Sequence, residues 1–263
     1  MPDIVIRIGL SFIVAGFWIS GATLIGERLG VRKAGLITNL PSNILISLLF
    51  VSLTRGPGYA SALTAGVPMG MLIDTIFLVV YIFVLPRGVW KALALGLIAW
   101  AASAALAIGL LPPMGFWLAA AIYLAGAAAL FLLVSARLPR RNPQKKPVSF
   151  SWRILGLRAF FAGCVVAGSV TIAQVAPPYM TGIFATFPAV LTSTLVILSL
   201  SQGADFAQAT GRILVISSSN IVVYAAVAGL VLPLVGPWLG TLIAFAAAFL
   251  FILALGKLIE RLR

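Results

Sequence analysis

The chain contains no histidine, one cysteine and only five acidic residues among its 263 residues. Without histidine there can be no histidine-ligated metal and no Ser–His catalytic pair. The single cysteine, Cys164, excludes an internal disulfide and a cysteine-ligated cluster. The sequence also lacks a P-loop, so nothing indicates direct coupling to ATP. These absences argue against an enzyme, a bound cofactor and a metal site.

Charged residues are scarce and apolar residues abundant. The chain is 62% hydrophobic and 9% charged, whereas soluble proteins carry about 25% charged residues. A membrane-spanning helix needs about 20 mostly apolar residues, and helices pair their backbone groups internally in lipid. Nine stretches qualify: about 4–26, 34–53, 60–85, 90–111, 115–136, 154–176, 181–201, 206–232 and 237–257. We therefore predict an all-α, polytopic membrane protein with nine transmembrane helices.

The formal net charge of +13 reflects topology rather than nucleic-acid binding. If the nine spans are threaded with the C-terminus inside, all of the 18 Lys and Arg residues except Arg7 and Arg55 fall on the cytoplasmic side. This distribution follows the positive-inside rule. We expect a multi-pass protein of the bacterial cytoplasmic (inner) membrane, with its N-terminus outside and its C-terminus in the cytoplasm. Its expected partners are membrane lipids and a substrate, without nucleic acid, and a homodimer is compatible with this picture.

Residues 12–86 recur in diluted form at 159–233, with a constant offset of 147 and no gap. Each copy contains four predicted spans, and span 5 joins the copies. Because five crossings separate the starts of the two copies, the second copy must enter the membrane from the opposite face. The sequence thus predicts two inverted four-helix repeats around a joining helix (4+1+4), an organisation typical of secondary transporters. The corresponding divisions are a first repeat at 1–111, a joining span and basic linker at 112–150, and a second repeat at 151–263.

Two prolines occupy matching positions in the repeat. Pro41 and Pro188 lie about seven residues into spans 2 and 7, where a proline removes a backbone hydrogen bond. Interrupted spans at matching positions of two halves are a strong sequence indication of a transporter site. We therefore include their polar neighbours Asn39, Asn43 and Thr186 in the predicted substrate site. The alternative is a simple proline kink satisfied by Ser and Thr side chains.

Asp74 is the only acidic residue deep within any predicted span. A charge at the bilayer centre costs at least about 2.5 kcal/mol, so such residues usually face a cavity or a partner. Asp74 could carry a proton during transport, or it could remain protonated and bond to a neighbouring helix. The matching zone of span 8 reads SSSN at 217–220, which makes Ser218 and Asn220 candidates to face Asp74. Interhelical hydrogen bonding is the alternative role for them.

Arg212 lies near the inner end of predicted span 8. Its long side chain could extend to the membrane interface. It could instead receive an anionic group of the substrate from the cytoplasm. We include it among the predicted substrate-binding residues and leave both roles open.

The element G-[LI]-x-x-x-[LF]-P occurs at Gly35–Pro41 and at Gly182–Pro188, each time followed by a polar helix. It resembles the GlpM-like group of small bacterial four-helix membrane proteins. The resemblance implies two such units fused around an extra span in the inner membrane, and it implies no substrate. The architecture is also similar to that of dual-topology small multidrug transporters, although the glutamate of their first span has no counterpart here.

The leading hypothesis is a secondary transporter that works by alternating access. Its substrate would be small and polar, anionic or lipid-linked, with proton coupling through Asp74 as one option. The alternatives are a non-transporting scaffold of a cell-envelope complex and a lipid flippase. A continuous polar cavity would favour transport, and a dry, fully packed interior would favour the scaffold.

Overall fold

The computed structural model describes residues 2–28, 41–138 and 151–261, and all regular elements in these ranges are helical. The all-α prediction is confirmed for this part of the chain. Short 3-10 turns occupy Thr64–Gly66 and Leu85–Arg87. The α-helices are α1 (Pro2–Arg28), α2 (Ser42–Arg55), α3 (Pro57–Leu63), α4 (Val67–Val84), α5 (Val89–Leu110), α6 (Phe116–Arg137), α7 (Trp152–Ile172), α8 (Pro178–Ala185), α9 (Ala189–Gln202), α10 (Ala204–Ser217) and α11 (Ser219–Arg261).

Six helical segments of the described chain are long and apolar enough to cross a membrane. Shorter apolar helices occur at Ile4–Trp18, within α1, and in α2. The protein is therefore a multi-pass membrane protein. The six segments are Pro57–Arg87, Val89–Leu110, Phe116–Arg137, Leu155–Ile172, Pro178–Gln202 and Ala204–Lys257.

The last of these segments is too long for one crossing. Its 54 residues would extend about 80 Å as a straight helix, whereas the hydrocarbon core is about 30 Å thick. Gly236 interrupts it with a φ of 77°, between Pro233 and Pro237. This interruption lies at the boundary predicted between spans 8 and 9.

The segment that carries Asp74 is the most enclosed part of the bundle. In the most apolar window of Pro57–Arg87, 72% of the residues are buried, against 22% in Val89–Leu110 and 28% in Phe116–Arg137. The outer helices keep large apolar side chains exposed, as a lipid-facing surface requires. Asp74 therefore lies on the central helix of the fold rather than on a lipid-facing one.

The two copies of the repeat share their local backbone conformation. The bounds of α9 are those of α2 shifted by 147 residues. Helices α3 and α10 also begin 147 residues apart. Between the helices lie Gly56, with a φ of 89°, and Gly203, with a φ of 95°. Only glycine adopts this left-handed region at little cost, which lets each chain turn at once into the next helix.

Two hydrogen bonds between the copies form an exchanged pair. The Ser61 hydroxyl donates to the carbonyl of Gly229 over 2.6 Å, and the Gln208 amide donates to the carbonyl of Ile82 over 2.8 Å. Residues 61 and 208 are 147 apart, and so are residues 82 and 229. The second bond therefore joins the positions equivalent to those of the first bond, but its donor and acceptor belong to the opposite copies. A contact across a two-fold axis has this form.

Helix α8 crosses the α3–α4 connection with the two backbones in contact. An added Cβ at Gly66 or Gly182 would meet a backbone carbonyl of the opposite segment, and one at Gly70 would meet the Thr186 hydroxyl. Small residues permit such close approach between membrane helices. The crossing holds Thr186 against the helix that carries Asp74.

Candidate functional site

The site begins at the two matched prolines. Helix α8 ends at Ala185 and α9 resumes at Ala189, with Pro188 between them at φ −79° and ψ 44°. The Ala189 N–H donates to the carbonyl of Phe187 over 2.8 Å, so an inverse γ-turn centred on Pro188 makes the break. Pro41 has nearly the same conformation, φ −74° and ψ 53°, directly before α2. Both prolines therefore have non-helical backbone at the start of a helix.

The helix starts that follow these prolines have no side-chain cap. The first bonds run from the Leu45 N–H to the carbonyl of Pro41 over 2.9 Å, and from the Thr192 N–H to the carbonyl of Pro188 over 2.7 Å. Backbone N–H groups of the first turn point out of a helix end, where the helix dipole is positive. Helices α2 and α9 thus each direct a positive end toward their proline.

A small cavity lies where the two helix starts meet α4 and the α10–α11 junction. Its walls combine segments from both copies of the repeat. Seven of the nine residues predicted from sequence line it: Pro41, Asn43, Asp74, Thr186, Pro188, Ser218 and Asn220. The structure thus brings these residues together, and their role in substrate binding stays a prediction.

The other two predicted residues do not contribute to this lining. Asn39 lies outside the described residues, as do the first part of predicted span 2 and most of the basic linker. The Arg212 guanidinium donates through Nη2 to the carbonyls of Val134 and Leu138. These carbonyls lie at the C-terminal end of α6, where the helix dipole is negative and favours a cation. Arg212 therefore caps α6.

Replacing Arg212 with Met should lower stability and leave the cavity intact. Removing a charged donor from helix-end carbonyls is expected to cost about 1–2 kcal/mol. Thermal unfolding in detergent would measure the loss. Arg87→Met is the matched control, because Arg87 is exposed. Equal melting temperatures for both variants would contradict the capping role.

Asp74 is only 2% exposed and has a specific partner. The Trp100 indole N–H donates to its Oδ1 over 2.9 Å. The Trp100 ring also packs edge-to-face against Phe187, with 4.8 Å between the ring centroids. One side chain from α5 therefore connects the buried carboxyl group to the proline break.

Sequence reasoning missed Trp100 and also Tyr123. Tyr123, from α6, is fully buried, and its hydroxyl lies near Ser218 and Asp74 without a hydrogen bond to a described residue. A signal for Trp100 was present: it falls in the middle of a predicted span, whereas membrane tryptophans prefer the interfaces. A buried indole N–H needs an acceptor, and Asp74 supplies it.

The chemistry around Asp74 is rich in oxygen acceptors. Asn43 Oδ1 is shielded from solvent and accepts no hydrogen bond from a described residue. The Thr186 hydroxyl donates to the carbonyl of Ile183 over 2.8 Å, which uses its only proton and leaves its oxygen lone pairs available. No lysine or arginine appears among the described residues that line the cavity.

Comparisons of the chain with protein-family models, curated proteins and solved structures gave no match. The resemblance to the GlpM-like group therefore stays a prediction from the short proline motif. Function has to be argued from the cavity itself.

Proposed function

We propose that this protein is a secondary transporter of the bacterial cytoplasmic membrane that works by alternating access. The observation that carries the proposal is the cavity in which a buried carboxyl group meets the non-helical backbone at two matched prolines. An intramembrane carboxyl group and non-helical backbone within the membrane are both costly, and both are typical of transport sites. A scaffold that only packs helices together needs neither.

The proposed architecture is nine spans in two inverted repeats around a joining span. The exchanged bonds of Ser61 with Gly229 and of Gln208 with Ile82 support a two-fold relation between the copies. The odd number of predicted crossings between the copies supports an axis that lies in the membrane plane. In such transporters the halves rock around a site at their interface, which is where the cavity lies.

The proposed substrate is a small polar or anionic metabolite, either free or lipid-linked. The positive ends of α2 and α9 favour an anionic group in the cavity. Apolar walls from Ile44, Phe187 and Leu191 would contact the rest of the molecule. Asp74 is the proposed coupling residue, because an anion and an ionised carboxylate repel each other in a low-dielectric site. Neutralisation of Asp74 by a proton or another cation would favour entry of the substrate.

The inverted arrangement can be tested at two positions that are 147 residues apart. Arg87 lies in the turn between α4 and α5, and Leu234 precedes the interruption at Gly236; both are exposed. In a Cys164→Ala background, Arg87→Cys should be shielded from an impermeant thiol reagent in intact cells, and Leu234→Cys should be labelled. Permeabilised cells should label at both positions, which controls for reactivity.

Labelling of both cysteines in intact cells, or of neither, would place equivalent positions on the same side of the membrane. The repeats would then be parallel, and the proposed architecture would be wrong. Cys164 must be replaced first because it is exposed.

A further inference from the structure

We infer that Asp74, Asn43 and Thr186 form a binding site for a monovalent hard cation such as Na⁺. The inference deepens the proposed function, since the cation would be the coupling ion of the transporter. Its starting point is the buried Asn43 Oδ1, which accepts no hydrogen bond from a described residue and lines the same cavity as the Asp74 carboxyl group. Trp100 occupies Oδ1 of the carboxyl group, which leaves Oδ2 for a second partner.

The three side chains belong to one small region. Thr186 Oγ1 lies against Gly70, and Gly70 and Asp74 are four residues apart on α4, on the same helix face and one turn from each other. Asn43 belongs to the first turn of α2 and lines the same cavity as the other two. The carboxylate, amide and hydroxyl oxygens therefore come from three separate elements. Ligand sites are built in this way, whereas the polar groups of a helix end come from one element.

Backbone oxygens add to this set. Helix α8 ends at Ala185, which lines the cavity together with Thr186. The carbonyls of Ile183 and Phe184 already accept hydrogen bonds from Thr186 and Phe187. The Ala185 carbonyl is the helix-end oxygen that remains, and the helix dipole is negative there. Interrupted helices of transporters coordinate Na⁺ with such carbonyls.

The charge of the site selects the class of cation. Asp74 supplies one negative charge, and the described residues contain no group of three or more His, Cys, Asp or Glu side chains. One carboxylate with neutral oxygen ligands suits a hard monovalent ion rather than a divalent or transition metal. A bound cation would also offset the desolvation of the buried carboxylate.

Na⁺ binding can be measured without knowledge of the substrate. The purified full-length protein would be titrated with NaCl at constant ionic strength, with N-methylglucamine chloride as the balancing salt. Thermal unfolding and binding of radioactive Na⁺ would be recorded. Ligand linkage predicts a rise in melting temperature of about 3–6 °C at ten times the dissociation constant, and a further rise with the logarithm of the Na⁺ concentration above it. Radioactive Na⁺ should bind at one site per chain.

Three variants separate the site from general salt effects. Asp74→Asn should abolish Na⁺ binding, and Thr186→Val, which keeps the side-chain shape, should weaken it at least several-fold. Asp205→Asn should bind as the wild type does, because Asp205 is exposed in the first turn of α10. Size-exclusion chromatography would show whether each variant is folded. If Asp74→Asn does not fold, Thr186→Val still tests the cation site.

Equal stability in both salts, or Na⁺ binding that persists in Asp74→Asn and Thr186→Val, would overturn the cation site. Stability that depends on pH through Asp74 but not on Na⁺ would also overturn it, while leaving a proton-coupled transporter intact. If the transporter proposal itself is wrong, the result is different: solvent cannot enter the cavity from either side of the membrane.

Discussion

Replacing Asp74 with Asn is expected to abolish concentrative transport while the protein stays folded. The amide has nearly the size of the carboxyl group and can still accept the hydrogen bond from Trp100. It cannot ionise, so it can neither exchange a proton nor attract a cation. Without coupling, the ratio of internal to external substrate should fall to about one, since an ion gradient can drive accumulation only through a free-energy coupling between the two sites.

The loss can be measured before the substrate is known. Proteoliposomes with an imposed proton or Na⁺ gradient would be incubated with an isotope-labelled metabolite extract, and the accumulated compounds identified by mass spectrometry. Asp205→Asn is the control, because it removes the same charge at an exposed position. Accumulation by Asp74→Asn at the wild-type level would remove Asp74 from the coupling mechanism.

Cross-linking either of the two exchanged contacts is expected to stop transport. The bonds from Ser61 to Gly229 and from Gln208 to Ile82 each join one copy of the repeat to the other. Alternating access requires the two copies to move against each other and to exchange conformations. A covalent bridge at either contact should therefore hold the protein in one state and remove most of the transport activity.

The double variants Ser61→Cys/Gly229→Cys and Ile82→Cys/Gln208→Cys would be made in the Cys164→Ala background. A short bifunctional thiol reagent that can be cleaved by reduction would bridge each pair. Reduction should restore transport, and the untreated double variants control for the substitutions themselves. Full transport by a fully bridged protein would show that these contacts do not separate during the cycle.

Local sequence properties predicted much of the fold. Length and hydropathy are local, so the apolar runs gave the helical segments near their observed bounds. The repeat also marks where conformations recur, since Gly56 and Gly203, at matching positions, make the same left-handed turn in both copies. Pro41 and Pro188 predicted interrupted backbone, because a proline within a helix removes one backbone hydrogen bond.

Contacts between distant residues could not be predicted in this way. Trp100 donates a hydrogen bond to Asp74 from α5, and Tyr123 on α6 lies near the same carboxyl group. No sequence periodicity encodes such distances. Arg212 shows the same limit. Its position left extension to the membrane interface and an anion site both open. The acceptors are instead carbonyls at the end of α6, which only the packing of α10 against α6 brings within reach.

The most direct test of the transporter proposal is access to the cavity from the two sides of the membrane. Ser42 lines the cavity at the start of α2, and Ser42→Cys is a conservative change. In a Cys164→Ala background, its labelling by an impermeant thiol reagent would be compared in right-side-out and inside-out vesicles, with Leu234→Cys as a one-sided control. Alternating access predicts that Ser42→Cys is labelled from both sides. Labelling from neither side would mean a closed, dry interior and would contradict the account.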